Sequence, residues 1–284
     1  RSSMRTYDVA IIGGCGHVGL PLGIALADTG LRVALYDLNQ AAVDTVNAAS
    51  LPHDEPGAAA VLERVLADER LAATTDRTVV ARSRIVIVVV GTPIDQHLNP
   101  DVEAVPRAIA AIADQLRDGQ LLVLRSTVYP GVTAMVEKVV ERRGGGIDVA
   151  FCPERIAEGK AMTELHELPQ IVASRTATGR ARASKLFQNL TNDIVHLDPE
   201  EAELAKLFTN TWRYMKFAVA NQFFAIADQA GVEYTNVLRA IREDYPRAAD
   251  LPGPGFAAGP CLFKDTMQLA AFTADHFPMG QAAM

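Results

Sequence analysis

Residues 7 to 39, YDVAIIGGCGHVGLPLGIALADTGLRVALYDLN, constrain the fold more than any other stretch of this chain. Val9 to Ile12 is a continuous apolar run rich in β-branched residues, the signature of a parallel strand covered on both faces. A glycine cluster follows, then a helical pattern from Val18 to Asp28 closed by Gly30, then a second strand over Leu31 to Tyr36. Further apolar strands are expected at Arg84 to Val90, Gln120 to Leu124, Asp148 to Phe151 and Gln170 to Val172. Helical stretches such as Val105 to Leu116 and Thr133 to Arg143 lie between them. This alternation predicts an α/β fold with a doubly wound parallel sheet.

The pattern changes at residue 198. DPEEAELAKLFTNTWRYMKFAVANQFFAIADQAG has no strand-like break, and Asp198 can cap a helix whose first residue is Pro199 and which Gly231 ends. Such a helix is ~45 Å long, enough to link two domains or to supply a dimer interface. A shorter helix is expected at Asn236 to Arg242 and another after Asp265. The division is therefore residues 1–197 as a dinucleotide-binding domain and 198–284 as a mainly helical domain. Between the last two helices, GPGFAAGPCLFKD reads as a bare loop carrying Cys261. That thiol is either an ordinary buried cysteine or a nucleophile.

Composition removes several classes of function. A formal charge of -7 gives no electrostatic footprint for nucleic acid. The densest basic stretch, Arg175 to Lys185, has helical spacing and reads as a solvated face. Cys15, Cys152 and Cys261 are odd in number, far apart and without CxxC spacing, so neither a disulfide framework nor a zinc site is expected. The histidines show no metal-ligand spacing either, and no metal is expected. The apolar runs are too short to span a bilayer, so no membrane partner is expected. With no leader peptide visible, a reducing, cytoplasmic setting is expected.

Gly14, Gly16 and Gly19 form GxGxxG between the first strand and helix. The first glycine permits the tight turn, the second lets a pyrophosphate approach the backbone, and the third lets helix and strand pack closely. Asp37 ends the second strand, where a carboxylate binds both ribose hydroxyls and repels a 2′-phosphate. NAD is therefore expected over NADP. Cys15 reads as a space-filler within this loop. VVVGTPID places Thr92 and Pro93, and RSTVYPG places Ser126 and Thr127, at the C-terminal ends of strands. Ordinary turn and cap chemistry competes with a functional reading for these hydroxyls.

Glu154 and Glu158 are four apart and share a face if their segment is helical. Lys206 and Asn210, also four apart, point the same way from the long helix, beside an apolar stripe of Leu204, Leu207, Phe208, Thr211 and Trp212. Lys206 snorkelling along that stripe is the plainer alternative. Taken together, a hydride acceptor, a thiol, an ammonium, an amide and carboxylates can oxidise an alcohol beyond the aldehyde. The thiol captures the aldehyde and water cleaves the resulting thioester.

GCGHVGLP, VVVGTP, STVYPG, PERIAEG, KLFTN and GFAAGPCLFKD, in this order, resemble the motifs of the UDP-glucose/GDP-mannose dehydrogenase family, the nucleotide-sugar 6-dehydrogenases. The resemblance covers essentially the whole chain. It implies a Rossmann NAD domain followed by a helical central domain. It also implies oxidation of a UDP-sugar C6 alcohol to a carboxylate with two NAD+; the length of the long helix adds the expectation of a homodimer joined through it. By the same resemblance Cys261 is the nucleophile, and Lys206 and Asn210 hold substrate and oxyanion. Asp265 and Glu154 move protons or activate water, and Thr127 positions water. His17, Val18, Thr92, Pro93, Thr127, Glu158 and Lys264 join the glycines and Asp37 at the cofactor. Arg155, Gly255 and Phe256 join Glu154, Lys206 and Asn210 at the substrate. CPER and AAGPC resemble the UDP-N-acetyl-D-mannosamine branch, from which Glu158-Gly159 departs, so UDP-glucose stays open. The family's third, UDP-gripping domain has no counterpart in these residues, which implies NAD binding with weak turnover. A two-electron hydroxyacid dehydrogenase and a non-catalytic NAD-binding module are the other readings.

Overall fold

β1 (Tyr7–Ile12) lies inside an eight-stranded sheet and is completely buried over its last four residues. The computed structural model describes residues 6–95, 99–257 and 261–284. From β1 the chain continues through α1 (Gly19–Asp28), β2 (Val33–Tyr36), α2 (Gln40–Asn47), α3 (Ala58–Ala67), β3 (Leu71–Thr74) and β4 (Ser83–Val88). Then come α4 (Ala104–Ala111), β5 (Leu121–Leu124), α5 (Val132–Arg143), β6 (Asp148–Phe151), α6 (Ala161–Glu167), β7 (Gln170–Ala173), α7 (Ala177–Phe187) and β8 (Ile194–Leu197). The strand order is β3-β2-β1-β4-β5-β6-β7-β8, so the chain reverses direction across the sheet between β1 and β4. In open α/β sheets the crevice beyond the strand C-termini at such a reversal is where ligands bind.

The first six strands are parallel, as their near-continuous apolar sequences predict. β7 departs from this: it pairs with β6 antiparallel, and β8 then follows β7 in parallel. Antiparallel neighbours are joined at one edge of a sheet. The whole 152–169 connection therefore begins and ends at the C-terminal edge of β6. This turn of the chain brings the PERIAEG motif to the ligand edge. Local periodicity carries no signal for it.

Two compact units divide the chain, residues up to Thr92 with Val102–Glu203, and Pro93–Asp101 with Leu204–Met284. The boundary falls inside α8 (Pro199–Gln229). That helix starts as its sequence predicts, with Glu201 accepting the backbone N–H of Asp198 at 2.9 Å, half of a capping box. Glu203, 1% exposed, accepts the N–H groups of Gly131 (2.7 Å) and Thr133 (2.8 Å) and so caps α5 from the start of α8.

The second unit continues with α9 (Tyr234–Arg242), α10 (Cys261–Thr273) and α11 (Pro278–Ala283). α10 begins earlier than the sequence reading places it, at Cys261 itself, so the thiol opens a helix. Residues 258–260 of the expected glycine-rich loop lie outside the described residues. Among the described residues, no helix is long and apolar enough to cross a membrane.

Candidate active site

The turn after β1 is built by steric necessity. Gly13 has φ +73°, and a Cβ there would stand 1.8 Å from the Val89 carbonyl oxygen. A Cβ on Gly14 would meet Leu35 at 2.7 Å, and one on Gly19 would meet the Gly13 oxygen at 2.5 Å. These three positions are closed by the protein itself, and Gly13 is one the GxGxxG spacing overlooks. Gly16 differs: the nearest atom to a Cβ there is the Gly13 oxygen at 3.6 Å. Nothing among the described residues forbids a side chain at Gly16, so the room above it suits a ligand that approaches the backbone. α1 starts just beyond, and no side chain caps it. In its first turn Leu20 and Leu22 donate to the carbonyls of Gly16 and Val18 and Pro21 has no N–H, so the N–H groups of His17, Val18 and Gly19 are the donors left for a diphosphate. The residues present thus fit a dinucleotide.

Asp37, at the end of β2, accepts the N–H of Cys15 and of Asn39, each at 3.0 Å, and ties the glycine turn to the second strand. Burial pushes the Cys15 thiol up to about 12, with the Asp37 charge adding to it, in keeping with a space-filler. The Ser126 hydroxyl accepts from Val90 N–H and donates to Val90 O, stitching the ends of β4 and β5. Thr92 donates its hydroxyl proton to Thr127 O at 2.9 Å. Pro93 opens the 93–101 segment that groups with the second unit.

Glu154 and Glu158 do not share a helical face, because 152–158 has no helix; α6 starts only at Ala161. Glu154 is 8% exposed. Its Oε2 accepts from Arg125 Nη2 at 2.6 Å, and its Oε1 accepts the N–H groups of Arg155 (2.8 Å) and Ile156 (3.0 Å). Arg125 is fully buried, donates also to Cys152 O and Gln170 Oε1, and lies over the Phe187 ring at 4.8 Å. Arg125 is absent from the sequence reading, though an arginine directly after the apolar strand LLVL is a signal that could have found it. Arg155 points its guanidinium at the Pro169 carbonyl, and burial, then the nearby Arg125 charge, lowers its pKa. Glu158 is exposed and faces His17 across 3.5 Å.

The second unit gathers its own set. Lys206 is 7% and Asn210 4% exposed on α8, whereas Phe208 and Trp212 of the expected apolar stripe are 54% and 60% exposed. The helix thus turns its polar pair inward, and Lys206 does not snorkel to solvent. Asn210 Nδ2 donates to Asp265 Oδ2 at 2.5 Å, and Gln268 reaches the other oxygen at 3.4 Å. Burial raises the pKa of Asp265, against the opposing pull of Lys264, Lys206 and the two amides. Because α10 begins at Cys261, the spacing of Cys261, Lys264 and Asp265 is i, i+3, i+4, which sets all three on one side of that helix. Cys261 is exposed, as a nucleophile must be.

Gly255 donates its N–H to Asn221 Oδ1 at 2.7 Å, and its carbonyl accepts from Asn221 Nδ2 at 3.0 Å. Asn221, missed in the sequence, lies three helical turns beyond Asn210 on the same face of α8. A cavity of about 230 Å³ lies along this face, lined by Tyr214, Phe217, Asn221, Gly255, Phe256 and Phe263 among others. Among the described residues no group of three His, Cys, Asp or Glu could hold a metal ion.

Residues 7–191 match the UDP-glucose/GDP-mannose dehydrogenase family's NAD binding domain, and residues 200–282 its central domain. A UDP-N-acetyl-D-mannosamine dehydrogenase of Methanococcus maripaludis is 30% identical over 258 residues, covering 89% of this chain and 58% of that protein. The solved UDP-D-ManNAc dehydrogenase of Pyrococcus horikoshii superimposes with a TM-score of 0.90 at 28% identity, covering 97% of this chain and 66% of that one. A UDP-glucose dehydrogenase of Pyrobaculum islandicum also gives 0.90, at 26% identity, covering 100% and 68%. The chain spans 58% of the length of the Methanococcus maripaludis relative and 65% of a curated UDP-N-acetyl-D-mannosamine dehydrogenase of Pyrococcus horikoshii.

Proposed function

The chain belongs to the UDP-glucose/GDP-mannose dehydrogenase family, and from that premise we propose that it takes part in oxidising the C6 alcohol of a UDP-sugar to the carboxylate, with NAD. The observation that carries this reading is the buried Lys206–Asn210–Asp265 group, with Cys261 one turn before Asp265 on the same helix. A simple two-electron alcohol dehydrogenase has no use for that thiol.

In this reading the Gly14-Gly16-Gly19 turn, His17, Val18, Asp37, Thr92, Pro93, Thr127, Glu158 and Lys264 hold NAD, which supplies the hydride acceptor for both oxidations. Cys261 Sγ bonds to the aldehyde carbon as a thiohemiacetal, whose oxidation gives a thioester. Water then breaks the C–S bond, releasing the carboxylate and returning the thiol. The alcohol, one water and two NAD+ become the carboxylate, two NADH and three protons. Lys206 and the second amide proton of Asn210 stabilise the oxyanion that develops in both the capture and the hydrolysis. Asp265, whose burial raises its pKa, exchanges protons with the thiol or the water. Thr127 orients water, Glu154 stands at the same chemistry, and Arg155, Gly255 and Phe256 contact the sugar.

The curated relatives named for UDP-N-acetyl-D-mannosamine favour that sugar, and a small panel of UDP-sugars tests it. Two NADH per UDP-N-acetyl-D-mannosamine and a carboxylate product are expected. One NADH per sugar would overturn the thioester route. NAD binding without turnover of any sugar, even when the family's UDP-gripping domain is supplied, would favour a binding module.

We further propose a homodimer through α8. Phe208, Trp212, Val219, Phe223 and Ile226 recur at helical spacing and are 43–61% exposed, an apolar stripe larger than a solvated helix carries. Sedimentation is expected to give a dimer that Trp212→Glu with Ile226→Glu converts to monomer. A wild-type monomer at tens of micromolar would reject it.

A further inference from the structure

Three residues of the first unit meet beside the glycine turn, and one of them, His53, has no part in the reading above. His17, in the turn, stacks on His53 with ring centroids 4.0 Å apart and a tilt of 33°. Its Nδ1 lies 3.5 Å from Glu158 Oε1. His53 belongs to the segment joining α2 to α3, and its Nε2 is buried with no hydrogen-bond partner among the described residues. A buried ring nitrogen without a partner costs free energy unless something else occupies it. The neighbouring Glu55 accepts the N–H of Ala161 at 2.9 Å through one oxygen and makes no bond to His53 Nε2.

Charge says what the partner is. Residues 13 to 19 contain no lysine or arginine, so His17 is the one side chain of the turn that can become positive. A dinucleotide's diphosphate brings two negative charges to this turn, and Glu158 already holds a carboxylate there. Like charges brought close together repel. A protonated imidazole between them turns that repulsion into attraction. In the free protein His53 resists this: burial lowers its pKa, as does the neighbouring His17, and only Glu158 opposes. An arriving anion reverses the balance.

We propose that His53, stacked on His17 and backed by Glu158, is part of the binding site for the cofactor's diphosphate and takes up a proton when the dinucleotide binds. The proposal rests on the NAD-binding reading of the glycine turn. It makes His53 a binding residue supplied from outside the GxGxxG loop, 36 residues after His17 (53 − 17).

Calorimetric titration of NAD+ into the chain at neutral pH, in two buffers of different ionisation heat, tests it. The wild-type heats are expected to differ by the uptake of about half to one proton, and affinity to fall by up to about tenfold per unit rise in pH. His53→Gln keeps a donor but cannot charge. It is expected to abolish the buffer dependence and to weaken NAD+ several-fold, whereas a loss of folding support alone would weaken binding and leave the proton uptake in place. Should that variant fail to fold, proton NMR of the wild-type imidazoles decides, with the His53 resonance expected to titrate at higher pH once NAD+ is bound. Tight NAD+ binding with equal heats in both buffers, an unmoved His53 titration, or proton uptake that survives His53→Gln would overturn the proposal. Failure of NAD+ to bind at all would instead reject the dinucleotide reading beneath it.

Discussion

Cys261→Ser is expected to abolish the proposed four-electron oxidation while leaving NAD binding intact. A serine hydroxyl at neutral pH is a weak nucleophile without a dedicated base, and its oxygen is a poor leaving group where the thiolate is a good one. The first oxidation needs no covalent bond to the protein, so the sugar would advance to the aldehyde and stop. Formation of the carboxylate should fall roughly a thousandfold or more, as when the nucleophile of another covalent enzyme is removed. NADH counted per sugar, an aldehyde-trapping reagent and mass spectrometry of the wild-type Cys261 adduct read the three parts of this expectation. A variant that still releases two NADH and a carboxylate would show that the thiol is not the nucleophile. The surroundings make Cys261 the candidate among three cysteines: Cys15 and Cys152 are buried, and burial pushes each thiol up to about 12.

Arg125→Met carries the largest expected loss of stability. The Arg125–Glu154 pair spans 2.6 Å with the guanidinium wholly buried and its partner nearly so. Removing one member of such a pair strands the other charge in a low-dielectric interior, at a cost of ~3–5 kcal/mol. For a chain of this size that corresponds to a fall in Tm of roughly 10 °C. Arg125 also holds the Cys152 carbonyl and the Gln170 side chain, so the end of β6 and the start of β7 should loosen together. The double variant Arg125→Met with Glu154→Gln removes both charges and is expected to recover a large part of the loss. Urea unfolding measures all three proteins. A single variant within about 1 kcal/mol of wild type, or a double variant no more stable than the single, would contradict the assignment.

This pair also alters how the PERIAEG motif is understood. From the sequence, Glu154 and Glu158 look equivalent, two carboxylates four residues apart. In the fold, Glu154 has both oxygens occupied by Arg125 and two backbone N–H groups, whereas Glu158 stands in solvent against His17. Asp265 is held by the amides of Asn210 and Gln268, and burial raises its pKa against the pull of Lys264 and Lys206.

The sequence by itself determined whatever depends on neighbours along the chain. Continuous apolar runs specified β1, β4, β5 and β6 as buried parallel strands, because a strand covered on both faces tolerates no alternation. Glycine spacing specified the turn at 13 to 19, because a Cβ at Gly14 or Gly19 has nowhere to go. Asp198, Pro199 and Glu201 specified where α8 starts, because capping is a local exchange of hydrogen bonds. Only the tertiary structure decided the direction of β7, which turned a two-glutamate motif back onto the ligand edge. It also made Cys261 the first residue of a helix, and paired Arg125 with a carboxylate 29 residues away and His17 with His53. Burial and partner choice are properties of surfaces brought together from distant parts of the chain, so no local pattern encodes them. The directions in which the pKa values of Asp265 and His53 move are set by those surfaces.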